Sequence, residues 1–267
     1  MNGALFRRTV RAQRLKLIVV STALAVWGFL LPIIYARFGS QFRELMDSGI
    51  FPEEFAKLGG GDIFTLAGSI ALGFIHPIPI ILTSVFSVGF SAAAVAGERQ
   101  RGTLEVALAR PISRRTFYLT LLVAAFVFVG VTVASLLAGG IAGSVFAGVV
   151  SELALENVPL LWLNGLLLFG SIAAVSLAAS VSFDRLPPAF GVTIGFVVVM
   201  YFLEILGSLW PEAEMLQPYS LFHYLKPKAI LIGAATPFDD VVLATVVVAA
   251  MLWALWIFPR RDLAAPS

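Results

Sequence analysis

Six runs of this chain stay apolar long enough to cross a lipid bilayer: Leu17–Ala36, Phe64–Ala96, Thr116–Gly148, Leu160–Ser182, Ala189–Leu209 and Val241–Phe258. A spanning helix needs about 20 such residues, because it must cross roughly 30 Å at 1.5 Å per residue with every backbone polar group bonded internally. The runs show no period-two alternation and are twice the length of a barrel strand, which excludes a transmembrane β-barrel. The first run is longer than the core of a signal peptide, and no small-residue cleavage site follows it. It is read as a retained helix.

Composition agrees with the pattern. Apolar residues make up 59% of the chain and charged residues 13%, with a mean hydropathy of +0.95. That leaves too little polar surface to keep a globule of 267 residues in water. The absence of cysteine removes disulfides and thiolate chemistry. A formal charge of +2 gives no reason to expect nucleic-acid binding. The predicted fold class is therefore an all-α integral membrane protein with six transmembrane helices, forming a single domain over residues 1–267.

The placement of charge orients the bundle. Thirteen of the eighteen Lys and Arg residues fall in the N-terminal tail, the loop between spans two and three, the loop between spans four and five, and the C-terminus. The other five (Arg37, Arg43, Lys57, Lys226 and Lys228) share the opposite side with most of the acids. By the positive-inside rule both termini are cytoplasmic, which predicts a multi-pass protein of the plasma (inner) membrane. Residues 3–16 read as a basic amphipathic helix lying on the cytoplasmic leaflet before the chain turns inward. On the outer side, Arg37–Asp62 reads as a polar loop. Residues 210–238, half apolar and bounded by prolines, read as a re-entrant segment that dips inward and returns under cover of protein.

One loop is unusually charged. GERQRGTLEVALARPISRR, Gly97 to Arg115, carries seven charges between two of the longest uncharged runs. A helix over 98–110 places Glu98, Gly102, Glu105 and Ala109 on one face, with Leu104, Ala107 and Leu108 opposite. Two carboxylates flanked by small residues then point away from the membrane, while Arg99 falls about 100° outside that face. Pro111 disfavours helix at Arg110, and Ser113 is placed to cap the next span.

The stretch GERQRGTLEVALARPISRRTFYL resembles the signature of ATP-binding-cassette (ABC) type-2 exporter permeases, through Glu98, Gly102, Thr103, Leu104, Glu105, Pro111, Ser113 and Arg114, with Arg101 inside the motif. Two further stretches, PYSLFHYLKP and FPRRDL, resemble that family's outer re-entrant segment and its C-terminal ending. Ala107 and Ala109 depart from the larger aliphatics frequent there. The resemblance implies that the segment is a coupling helix docking in a cleft of a separate ABC ATPase subunit. It also implies pairing with a second permease copy or paralogue, with ATP and Mg held by the ATPase and no cofactor on this chain. The implied function is the membrane permease subunit of an ATP-driven exporter, moving a drug-like molecule, lipid or other amphiphile out of the cytoplasm or inner leaflet. The alternative is a membrane subunit that transmits force to an extracytoplasmic partner without transport.

The residues support a motor elsewhere. None of the four lysines follows a glycine, so the chain has no phosphate loop, and it is not expected to be an enzyme. Intramembrane catalysis needs a nucleophile–base pair or three metal ligands. The two histidines, His76 and His223, both fall near the outer boundary. His76, ahead of Pro77, reads as a side chain satisfying a kink. Glu204, the acid inside the fifth run, reads as snorkelling or pairing with Lys226 or Lys228. His76 and Glu204 are also the candidates for a pathway or gate.

Overall fold

The computed structural model describes residues 1–47, 65–109 and 112–261, and among these every regular element is helical. The elements are α1 (Gly3–Asp47), α2 (Leu66–Ile75), α3 (Pro77–Gln100), α4 (Leu104–Leu108), α5 (Arg114–Phe146), α6 (Val158–Ser182), α7 (Leu186–Leu209), α8 (Pro227–Leu231) and α9 (Pro237–Ile257). Six of them, α1, α3, α5, α6, α7 and α9, are long and apolar enough to cross a membrane.

The N-terminal expectation fails. No turn separates residues 3–16 from the first span; α1 runs unbroken for 45 residues, about 67 Å at 1.5 Å per residue. Between Gly3 and Gly28 the chain has no glycine or proline to interrupt the helix. The polar loop expected from Arg37 likewise begins as helix and stays so to Asp47. The rest of that loop, including GGGD, lies outside the described residues. The second run is also divided, because His76 adopts an extended backbone (φ −64°, ψ 143°) between α2 and α3. Pro77 at the first position of α3 fixes this break.

α1 and α5 run parallel, since contacts advance together along both chains. The Asn2 N–H donates to Thr120 Oγ1 at 2.9 Å, and Tyr35 Oη donates to Glu152 Oε2 at 2.8 Å. Between these ends the backbones touch. A Cβ on Gly139 would lie 2.0 Å from the Ala25 carbonyl oxygen, one on Gly143 2.2 Å from that of Phe29, and one on Gly28 2.2 Å from that of Leu136. This is small-residue packing, in which close backbone approach replaces the hydrophobic drive that lipid cannot supply.

α6 occupies the centre, against α3, α5, α7 and α9. Its Leu161, Leu168, Ile172 and Leu177 are fully buried. The outer helices are the reverse: Val198 and Phe202 on α7 and Leu252 and Trp253 on α9 are exposed. So much exposed apolar surface on helices of this length suits hydrocarbon rather than water.

At the acidic end, residues 210–238 form two 3₁₀ turns (Pro211–Tyr219 and Leu221–Tyr224) followed by α8. The chain here folds back along α7. Gln217 Nε2 donates to Glu204 Oε1 at 3.3 Å, and Ser220 Oγ donates to the Met200 carbonyl at 2.7 Å. Asn164 of α6, which is 1% exposed, holds the returning strand. Its Nδ2 donates to the Tyr224 carbonyl at 3.0 Å and to Asp240 Oδ1 at 2.7 Å, while its Oδ1 accepts from the Lys226 N–H at 3.2 Å. The Tyr224 carbonyl and the Lys226 N–H of the returning segment are thus satisfied by a buried side chain.

Candidate functional site

The charged segment between α3 and α5 lies at the end of the bundle that holds the N-terminal residues and the last described turn, since Asn2 reaches Thr120 and Arg114 reaches the Arg261 carbonyl. It is not one helix. α3 loosens into a π-bulge over Ala93–Gly97, then closes with Glu98–Gln100 and stops. Ser180 of α6 plugs the bulge, its Oγ accepting from the Val95 N–H at 3.0 Å and the Ala96 N–H at 2.9 Å and donating to the Ala92 carbonyl at 2.7 Å. Backbone groups released by the bulge thereby find partners.

The stop is a Schellman turn. Gly102 sits at φ +70°, the Gly102 N–H donates to the Arg99 carbonyl at 2.9 Å, and the Thr103 N–H donates to the Glu98 carbonyl at 2.9 Å. Only glycine holds that left-handed conformation without a Cβ penalty. Side chains brace the turn: Glu98 accepts at 2.6 Å from Arg101 Nη2 and at 2.6 Å from Thr103 Oγ1. A single amphipathic helix over 98–110 is therefore not what forms, and Glu98 and Glu105 do not share a helical face. Glu98 braces the turn, whereas Glu105 stands exposed on α4.

α4 is a five-residue helix held by Leu104, with Leu108 packed partly buried on the core. Leu104 is 2% exposed, while Glu105 and Val106 face outward, Val106 at 71% exposure. A cleft of about 450 Å³ opens between Glu105, Leu108, Ala109, Ile112, Ser113 and Arg114. Ser113 caps α5 as the sequence predicts, its Oγ accepting from the Thr116 N–H at 3.1 Å. Pro111 and Arg110 lie outside the described residues.

Arg114, expected on the docking side, turns toward its own chain. Its Nη1 donates to the carbonyls of Phe258 (3.3 Å), Pro259 (3.3 Å) and Arg261 (2.7 Å) beyond α9. Cations disfavour a helix N-terminus, and these three carbonyls offset that cost. Arg99, which the helical wheel leaves off the docking face, is buried and paired with Asp184 at 2.7 Å. Asp184, in the turn between α6 and α7, also accepts from Arg261, whose Nη1 donates to the Val181 carbonyl at 2.8 Å. Gln100 Oε1 accepts from the Leu186 N–H at 2.9 Å. Sequence reasoning missed Asp184 and Arg261; the available signal was one acid alone in a short basic-side turn.

The two gate candidates lie away from this segment. His76 caps α3, its Nδ1 accepting from the Ile78 N–H at 3.2 Å, and its ring packs on Trp27 with centroids 4.7 Å apart. Glu204 bonds Gln217 and lies 3.9 Å from His223 Nδ1. Burial, with Lys226 adding and Asp239 opposing, holds the His223 imidazole below its ordinary value, so the ring near Glu204 is neutral at neutral pH. A separate groove of about 780 Å³ between α5, α6 and α9 is lined by side chains such as Val123, Phe126, Val127 and Leu166. Its polar edge, the Trp162 ring N–H, is already donated to the Gly130 carbonyl at 2.9 Å, so the groove suits hydrocarbon.

The family described as ABC-2 family transporter protein has a model that matches residues 6–263. Among curated proteins, nothing matches this chain.

Proposed function

We propose, from the premise that this chain belongs to the ABC-2 transporter family and is a membrane permease of an ABC transporter, that it exports an amphiphile, with α4 as the surface on which the ATPase subunit docks. The observation that carries the docking assignment is α4 itself: an exposed Glu105–Val106 pair on a helix whose base is anchored by Leu104 and by the braced turn before it. An exposed carboxylate beside an exposed apolar side chain gives a basic-rimmed cleft both charge and contact area. The absence of a phosphate loop supports a motor on another chain. The reading further places two permease copies or paralogues over two ATPases in the plasma (inner) membrane, with both termini cytoplasmic. The excess of Lys and Arg at the end bearing the termini supports this orientation. The apolar groove beside Trp162 supports a substrate with a hydrocarbon portion.

The test is capture. The affinity-tagged chain, purified from its own membranes, brings down a polypeptide that carries a G-K-[ST] loop and hydrolyses ATP. Glu105→Lys weakens capture by about 30-fold or more, since loss of a buried interfacial charge partner costs about 2–5 kcal/mol. Capture of no such polypeptide by the unaltered chain removes the reading, and undiminished capture by the variant removes α4 from the interface.

Force transmission without transport is the second reading, and the length of α1 favours it. Beyond the crossing over 17–36, residues 37–47 continue the helix by about 16 Å on the side away from Asn2, so α1 offers a short stalk there. A photo-crosslinker at the exposed Glu44 that traps a stoichiometric extracytoplasmic protein selects this reading.

A further inference from the structure

α4 is gripped from both sides by the same distant element. Upstream, Arg99 reaches Asp184, and Asp184 also holds Arg261. Downstream, Arg114 reaches the carbonyls of Phe258, Pro259 and Arg261. The C-terminal turn after α9 thus closes a ring around the base of the charged segment, and the α6–α7 turn is part of that ring. Phe258 is fully buried, with its ring 6.4 Å from that of Phe117 on α5, which makes this turn part of the packed core. Asp184 is the exposed member of this ring, at 51% of its side chain, with its Oδ1 taken by both guanidiniums. Arg99 is 10% exposed at its side chain and Arg261 20%.

From this geometry we infer that Asp184 and Arg114 are positioning residues of energy coupling: they make the α6–α7 turn and α9 follow any displacement of α4, and they do not contact the ATPase. The inference rests on the docking reading above. Without the ring, a push on α4 passes to α3 and α5, which are continuous with it in the chain, and reaches α9 only through apolar packing on α6. α9 contacts the rest of the bundle mainly through α6, whereas α7 packs on both α3 and α6, and both present exposed apolar faces elsewhere, so the polar tether adds a direct link from the charged segment to α9 and to the α6–α7 turn. Two guanidiniums on one carboxylate and one guanidinium on three carbonyls give directional links, and charge-assisted hydrogen bonds of this kind are roughly twice as strong as neutral ones.

The chain lacks cysteine, so single reporters can be installed. Val241→Cys reports on α9 and Val145→Cys on α5; both positions are exposed and far from α4 along their helices. Each reporter is placed in the captured permease–ATPase complex, and its reaction rate with a maleimide is compared before and after trapping with ATP and vanadate. In the unaltered complex, trapping changes the rate at both positions. In Asp184→Asn/Arg114→Gln, the change at Val241→Cys shrinks by at least about fivefold, the low end of coupling between sites. Meanwhile ATPase capture and the change at Val145→Cys persist. Asp184→Glu in an otherwise unaltered chain keeps the α9 response, which a loss of packing volume alone does not predict. Should the double variant fail to insert, Asp184→Asn alone is read and gives a reduced α9 response with capture intact. An α9 response that survives in the variants, or that is absent from the unaltered complex, overturns the inference while the docking reading stands. Failure of the unaltered chain to capture an ATPase is a failure of the docking reading itself.

Discussion

A methyl group at Gly139 tests whether the α1–α5 contact organises the bundle. The added Cβ would sit 2.0 Å from the Ala25 carbonyl oxygen, 2.8 Å from its carbonyl carbon and 2.9 Å from its Cα. All three are backbone atoms, so no rotamer change relieves the clash. Restoring a C···O separation of about 3.3 Å moves one helix by roughly 1.3 Å. The helices pack as long rigid bodies, so that displacement also opens the contacts at Gly28 and Gly143. Overpacking of this kind costs about 1–3 kcal/mol and sometimes more. Alanine recovers up to about 1 kcal/mol through its better helix propensity, so the net effect is smaller than the clash alone suggests.

The control carries the propensity gain without the clash. Gly195 has nothing within 4 Å of where its Cβ would be, so Gly195→Ala is neutral or slightly stabilising. Thermal unfolding in detergent, followed by tryptophan fluorescence, compares the two. Each 1 kcal/mol shifts the midpoint by about 2–4 °C in a domain of 150–250 residues, so a net loss of about 1–2 kcal/mol in Gly139→Ala lowers it by about 2–8 °C. Gly139→Ala/Gly143→Ala should cost less than the sum of the single changes, because a helix already displaced accommodates the second methyl more easily. Equal midpoints for Gly139→Ala and Gly195→Ala would refute the close-contact argument.

Three further outcomes are expected. Ser180→Ala leaves the Val95 and Ala96 N–H groups of the bulge without their acceptor, costing about 1–3 kcal/mol, and faster amide exchange at those two residues checks it. Asn164→Leu removes the side chain that holds Tyr224, Lys226 and Asp240, so residues 218–232 should exchange amide protons faster while α1 and α5 stay protected; uniform loosening argues against a local hinge. For topology, Met215→Cys at 74% exposure should react with an impermeant maleimide in intact cells and Val106→Cys at 71% should not, whereas the reverse pattern inverts the orientation.

The sequence by itself determined the membrane class, the six helices long and apolar enough to cross, and where along the chain the charged segment lies. Apolar length and the distribution of arginines are properties of single residues summed along the chain, and the lipid bilayer reads them one helix at a time. Local capping was legible at Ser113, which starts α5, whereas the kink expected at His76 within one span is a full break between two helices. The way that segment folds was another matter. The wheel over 98–110 assumed an unbroken helix, although Gly102 was visible in the sequence as a residue able to end one. What settled it was the combined geometry of the Schellman turn, the Glu98 brace and the Ser180 plug, whose last partner lies more than 80 residues away. The pairing of Arg99 with Asp184 and of Arg114 with the C-terminal carbonyls depends on which helix ends meet in space. Charge counting places both arginines on one side of the membrane. Only packing around α6 turns their guanidiniums inward, because the tightly seated α1–α5 and α6–α9 contacts fix those ends within reach of one another.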